Sequence, residues 1–362
     1  MKKILFIMHT PPPVHGAAMV GKYIKESKLI NDSFDCHYIN LTTAASLQDI
    51  GKLSLGKIKR IFALLISIRK AIKTFRPDLV YMTPNSKGGA FMKDFLTMMV
   101  IKVCHKNIVI HFHNKGVKKY QDKPLYNFLY RRFFKGLKVI LLAEPLYVDI
   151  EKYVDRKNVL FCPNGIPFVP ASSIGKKHNN DAPRLLFLSN MMEAKGVWTL
   201  VDACKILRDK GIVFYCDFVG KWSDISEENF KQHIQKYDLA DCIKAHGGKY
   251  GEVKNEFFKL ADIFVYPTYE DCFPLTILEA MSFGLPCITS NEGAIPEIID
   301  NEENGFVIPM KDANLLAKRI EYLIENKDIR TQLANNTFTK FKKEYTLSAF
   351  EVKFKDILLK CV

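Results

Sequence analysis

The sequence predicts an α/β protein made of two doubly wound, Rossmann-like domains. Three observations carry this. A strand–loop–helix opening stands at the start, KILFIM followed by HTPPPVHGAA and MVGKYIKESK. The same order restarts at RLLFLS (184–189), with the loop NMMEAKG and a helix from about 196 to 210. The strands between and beyond are short, near-continuous apolar runs separated by helical stretches. That is the pattern of a parallel sheet buried on both faces and joined by crossover helices.

The remaining strands of the first half read as DLVYMT (78–83), NIVIHFH (107–113), KVILLA (138–143) and NVLFCP (158–163). GIPFVPASSIGKKHNNDAP (165–183) is rich in Pro, Ser, Gly and Asn and lacks periodicity, so it reads as a linker. The second half continues with strands VFYCDFVG (213–220), IKAHG (243–247), IFVYP (263–267) and PCITS (286–290). Helices over about 311–325 and 328–343 follow, and AFEVKFKDILLKC reads as a last helix. The predicted division is residues 1–166, a linker 167–183, residues 184–345, and a C-terminal helix 346–362 packing back on the first domain. Two such sheets place the expected ligand cleft between the domains.

Composition agrees with that plan. A chain of 362 residues is long enough for two cores, and 48% apolar with 25% charged residues is ordinary for a globular protein. The nine cysteines never form C-x-x-C and mostly sit in apolar runs, as expected of reduced core residues in a cytosolic protein. The apolar part of MKKILFIMHTPPP is too short for a signal peptide, and IFALLISI is too short to span a bilayer. Charge is uneven. Residues 1–166 hold 28 Lys+Arg against 11 Asp+Glu, while residues 167–362 hold 25 against 28. A basic half beside a near-neutral half points to an anionic surface for the first.

The chemistry concentrates in YEDCFPLTILEAMSFGLP (269–286). Pro274 suits the first position of a helix of about ten residues, ended by Gly284 and Pro286. This helix starts at the carboxyl end of a strand, where open α/β sheets bind ligands, and its free N–H groups and dipole favour a phosphate. Glu279 falls on an otherwise apolar ridge between Leu275 and Phe283, where an unpaired carboxylate is costly. A pair of vicinal hydroxyls would satisfy both its oxygens, and Asp271 would meet the other end of a nucleotide-sugar. The plainer alternative makes Asp271 a helix cap and leaves Glu279 in solvent.

The run ADIFVYPTYEDCFPLTILEAMSFGLPCITSNEGAIPEII (261–299) resembles the signature region of retaining glycosyltransferases of family 4, which share the GT-B fold and use nucleotide-sugar donors. Their signature is Glu, seven residues, then Glu; here Asp271 and Glu279 match, the first acid being one methylene shorter. The resemblance implies that Glu279 holds the donor ribose, that Asp271 contacts the transferred sugar, and that backbone around Pro274, Leu275 and Thr276 binds the diphosphate. FLSNMMEAKGV resembles the family's second-domain opening, so Lys195 takes the place of its phosphate-gripping lysine. Asn190 stands where the family has an arginine. PPPVHGAA resembles the Gly-containing first loop, in which Gly16 lets backbone approach the donor phosphate. CPNGI (162–166) resembles the segment before the family's linker. The resemblance places a sugar-contacting histidine in VIHFHN. Period two puts His111 and His113 on one face, and His113 is nearer the strand's carboxyl end. No D-x-D triplet occurs, so transfer without a metal or other cofactor is expected.

Two basic stretches remain. GKIKRIFALLISIRKAIKTFR (56–76) places Ile58, Ile61, Phe62, Leu65, Ile66 and Ile72 near one helical face, as for a core-facing helix with a solvated back. Residues 118–138 mix aromatic with basic residues, as suits docking on anionic lipid. With the resemblance, the expected partners are a nucleotide-sugar and a glycan or lipid-linked acceptor of the cell envelope. The expected location is cytoplasmic, peripheral on the inner face of the membrane. No nucleic-acid-binding motif is present. Neither half has G-x-G-x-x-G after its first strand, against a nucleotide-dependent oxidoreductase. A GT-B epimerase or phosphorylase, or a non-catalytic basic binding protein, is the alternative.

Overall fold

A computed structural model describes residues 1–12, 15–42, 55–105, 107–168 and 182–362. The chain divides into two units, Met1–Gly165 with Leu347–Val362, and Ile166–Thr346. Each is built around a six-stranded parallel sheet. Most of the expected linker and part of the loop PPPVHGAA lie outside the described residues.

In the first unit the strands are β1 (Lys3–Met8), β2 (Asp35–Asn40), β3 (Leu79–Met82), β4 (Ile108–His111), β5 (Lys138–Leu141) and β6 (Val159–Phe161), in the order β2-β1-β3-β4-β5-β6. The helices are α1 (Gly16–Glu26), α2 (Lys28–Ser33), α3 (Leu55–Phe75), α4 (Gly88–Cys104), α5 (Val117–Tyr120) and α6 (Pro124–Phe134). The second unit has β7 (Arg184–Leu188), β8 (Tyr215–Val219), β9 (Ile243–Ala245), β10 (Ile263–Tyr266), β11 (Cys287–Ser290) and β12 (Gly305–Ile308), in the order β12-β11-β10-β7-β8-β9. Its helices are α7 (Val197–Asp209), α8 (Glu227–Lys236), α9 (Gly251–Leu260), α10 (Leu275–Ser282), α11 (Ile295–Ile298), α12 (Ala313–Glu325) and α13 (Lys327–Lys340).

The last helix, α14 (Leu347–Cys361), belongs to the first unit: Phe350, Phe354, Ile357 and Leu358 join Ile4, Phe6, Tyr81 and Ile140 in one core cluster. The central strands are buried along their whole length, which is why they read as unbroken apolar runs.

The two strands absent from the sequence reading, β2 and β12, are both sheet edges. No residue of β2 (DCHYIN) is fully buried, and its exposed and half-buried residues alternate only over Asp35–Tyr38, a signal four residues long.

The helix α3 turns differently from its expected face. Leu64, Ile68, Ala71 and Ile72 are buried, while Ile58, Phe62 and Ile66 are exposed. Of the expected face Ile72 alone is buried, and the core stripe runs through Leu64 and Ile68 rather than Phe62 and Ile66. In 118–138 the aromatics Tyr130, Phe133 and Phe134 are core residues, and Leu125 and Phe128 remain outside beside Lys123, Arg131, Arg132 and Lys135. All nine cysteines are free thiols, six of them buried. Among the described residues no helix is long and apolar enough to cross a membrane.

Candidate functional site

The second unit gathers its polar residues at the carboxyl ends of the adjacent strands β7, β10 and β11. The loop after β7 carries Asn190 and Lys195 and ends at Gly196. This residue has φ +79, and a Cβ on it would lie 2.0 Å from the Pro267 carbonyl oxygen, so only glycine lets the two loops meet. The loop after β10 clasps it. Tyr269 and Glu270 N–H groups and the Thr268 hydroxyl all donate to the Ala194 carbonyl, at 3.0, 3.2 and 3.1 Å. The Thr276 hydroxyl, in the first turn of α10, donates to the Leu188 carbonyl at the end of β7.

These contacts deliver Lys195 to Asp271. Its Nζ donates to Asp271 Oδ2 at 2.7 Å and to the Glu270 carbonyl at 2.7 Å. The Tyr266 hydroxyl, at the end of β10, donates to the same Oδ2 at 2.8 Å, and the Cys272 N–H donates to Oδ1. Burial first, and the Asp271 charge second, push the Tyr266 phenol well above its usual range, so it stays a donor. The Asp271 N–H donates to Glu292 Oε1 at 3.0 Å. Asp271 is therefore no cap for α10; its carboxylate is held by a cation and a phenol.

Helix α10 starts one residue later than expected. Pro274 is its extended N-cap (φ −71, ψ 110) and Leu275 its first helical residue, and the helix has eight residues rather than about ten. A Leu285 N–H to Ala280 carbonyl bond closes it at Gly284, as the sequence indicates. Pro274 has no N–H, and the N–H groups of Leu275 and Thr276 have no acceptor among the described residues. They form an open anion-binding end. Glu279 differs from its expected surroundings. It is partly exposed, and Lys254 Nζ of α9 donates to its Oε1 at 2.7 Å. Asn190 is exposed in the loop after β7.

In the first unit, Gly16 opens α1, exposed, behind the N-cap His15, whose ring Nδ1 accepts from the Ala18 N–H at 3.3 Å. His111 ends β4 and is fully buried, with Nδ1 2.9 Å from the Tyr81 hydroxyl. His113 lies past the strand end, its ring 4.1 Å from that of His111. Both its ring nitrogens, and Asn164 Oδ1, lack hydrogen-bond partners among the described residues. His111 Nε2 is also without a partner among them; what sets the rings apart is that His111 Nδ1 meets the Tyr81 hydroxyl while His113 lies beside the Asn164 side chain. Burial, then the neighbouring His9 ring, pushes the His113 pKa down to about 3, so it is neutral.

Sequence reasoning did not single out His9. Its Nε2 meets the Asn85 amide at 3.2 Å, and that amide also donates to Asp94 Oδ2 at 2.8 Å. An amide donating both ways makes Nε2 an acceptor and leaves the ring proton on Nδ1, which faces the Thr42 hydroxyl at 3.1 Å. Lys254, Tyr266, Glu292 and His9 are single residues with no spacing motif to find them by.

Residues 171–340 match the family described as glycosyl transferases group 1. The amylovoran biosynthesis glycosyltransferase AmsK of Erwinia amylovora is 34% identical over 140 residues, 37% of this chain and 34% of its own. A UDP-Gal:alpha-D-GlcNAc-diphosphoundecaprenol alpha-1,3-galactosyltransferase of Escherichia coli is 24% identical over 313 residues, 82% of this chain and 79% of that one. Anabaena Alr3699/HepE, solved in complex with UDP-glucose, is similar with a TM-score of 0.75 at 14% identity, over 99% of this chain and 100% of that one. The match spans 34% of the length of each of the first three curated relatives. Over residues 171–340 the chain resembles the glycosyl transferases group 1 family, and its two α/β units have the GT-B fold.

Proposed function

We propose that this protein is a retaining, metal-independent glycosyltransferase of family 4 that moves a sugar from a nucleotide-sugar, a UDP-sugar first of all, to a glycan or lipid-linked acceptor in cell-envelope polysaccharide synthesis. One observation carries the reading: Lys195, Asp271 and the unfilled N–H groups opening α10 converge at the carboxyl ends of β7 and β10. The names of the relatives support the class of product, amylovoran in one and a diphosphoundecaprenol-linked sugar in another.

In this reading the donor diphosphate lies on the N–H groups of Leu275 and Thr276 behind Pro274, with Lys195 as its cation and Asn190 a neutral neighbour. Glu279 accepts from the ribose hydroxyls. Asp271 meets the transferred sugar; within the first unit the resemblance gives His113 a sugar contact and Gly16 room beside a phosphate. The bond between the anomeric carbon and the β-phosphate oxygen breaks, and its electron pair leaves with the nucleoside diphosphate. Lys195 and the dipole of α10 stabilise that developing charge. The acceptor hydroxyl bonds to the anomeric carbon on the same face, and its proton passes to the departing phosphate oxygen. The basic, exposed part of 118–138, with Leu125 and Phe128, is assigned to the anionic inner face of a membrane.

The test is transfer from UDP-sugars to a diphosphopolyprenyl-linked sugar in excess EDTA, with the product anomer read by NMR. UDP release matched to a product of unchanged anomeric configuration is expected. An inverted product, or transfer only after a divalent cation is added, would overturn the reading.

A further inference from the structure

We infer that Lys254 is a positioning residue for the ribose grip assigned to Glu279, an inference that rests on the donor reading above. The two side chains sit on neighbouring helices as one rung of a ladder. One turn further along each helix, Phe258 of α9 stacks on Phe283 just past α10, with centroids 5.2 Å apart and planes within 10°. Both rings are buried, so this apolar rung fixes how the helices pack. The rung one turn back toward both N-termini is Lys254 Nζ to Glu279 Oε1, at 2.7 Å. The order of the rungs is the same on both helices, so the ion pair lies toward the end where α10 presents its unfilled N–H groups.

An ion pair with side chains 21% and 27% exposed adds little to folding. Its consequence is orientation. A glutamate on a helix surface samples several rotamers, and the ammonium selects one. It occupies Oε1 and leaves Oε2, which no described residue bonds, to accept from a hydroxyl.

Calorimetric titration of UDP and of 2′,3′-dideoxy-UDP into the full chain and into K254M and K254R tests this. The wild type should prefer UDP. K254M should weaken UDP by about three- to tenfold, the worth of immobilising one side chain, and leave dideoxy-UDP unchanged. K254R should restore most of the preference, and in turnover K254M should raise KM for the UDP-sugar with kcat nearly constant. A K254M protein that keeps the full preference, or weakens both nucleotides equally, overturns the inference alone. A wild type that binds both nucleotides equally overturns the ribose role of Glu279 and this inference with it. A wild type that binds neither overturns the donor reading itself.

Discussion

Lys195 Nζ and Asp271 Oδ2 are 2.7 Å apart although they come from loops after different strands, and each side chain is less than one-fifth exposed. The proposed phosphate cation is therefore held by the proposed sugar-contacting acid. Lys195→Ala should lower kcat by roughly 100-fold, as loss of one charge-stabilising donor does. Asp271→Asn should lower kcat too, yet tighten UDP by roughly two- to fivefold, because it frees Lys195 from a partly exposed ion pair. Calorimetry beside turnover reads both effects; weaker UDP binding in Asp271→Asn would show that the acid holds the lysine in its working position.

Gly293 supports Asp271 from the loop after β11. Its φ is +55, and a Cβ there would lie 2.5 Å from the Asp271 carbonyl oxygen and 2.8 Å from that of Cys272. Gly293→Ala should cost about 1–3 kcal/mol of stability and reduce turnover by displacing Asp271. Urea unfolding and a rate assay check it; an unchanged midpoint would contradict the tight approach.

Acid should destabilise the first unit before ordinary carboxylates titrate. Burial first, then Lys93 and His15, pushes His9 down to about 3, and His113 falls to about 3 as well. Above pH 6.5 both rings are neutral folded or unfolded. As pH falls from 6.5 toward 3 the unfolded chain takes protons that the folded rings refuse, so stability declines. Urea unfolding at pH 7.5 and pH 5 should differ by roughly 1–2 kcal/mol per ring, and His113→Asn should flatten the slope. A flat wild-type profile would contradict rings that stay neutral in the folded state.

Arg131 and Arg132 lie exposed beside Phe128, with the Arg132 guanidinium 4.6 Å from the ring centroid. The protein should float with anionic vesicles at low salt and release as salt rises. At about 1 kcal/mol for each basic residue at the surface, changing both to Gln should weaken binding roughly 30-fold. Vesicle binding indifferent to lipid charge would remove the proposed membrane contact.

How much of this the sequence carries depends on how local each feature is. The buried strands are legible because each is a continuous apolar run, and the turn ending α10 is legible because Gly284 and Pro286 mark it. The edge strand β2 is less so, since an edge leaves DCHYIN half exposed with an alternation only four residues long. The Asp271–Glu279 spacing is visible along the chain. Their cations are less so: Lys195 is recognisable only through a resemblance, and Lys254 stands 25 residues from Glu279 on another helix. Nor does spacing decide between His111 and His113; the difference is that the Tyr81 hydroxyl already meets one of them.

The proposed nucleoside diphosphate site works without a metal. The most direct measurement is thermal unfolding with UDP, GDP, CDP, ADP and NAD, each with and without EDTA. At about 100 times the dissociation constant, a ligand adds roughly 2.7 kcal/mol and a few degrees to Tm. A shift with one nucleoside diphosphate, UDP first, undiminished by EDTA, is expected. No shift with any of them, or a shift with NAD alone, would contradict it.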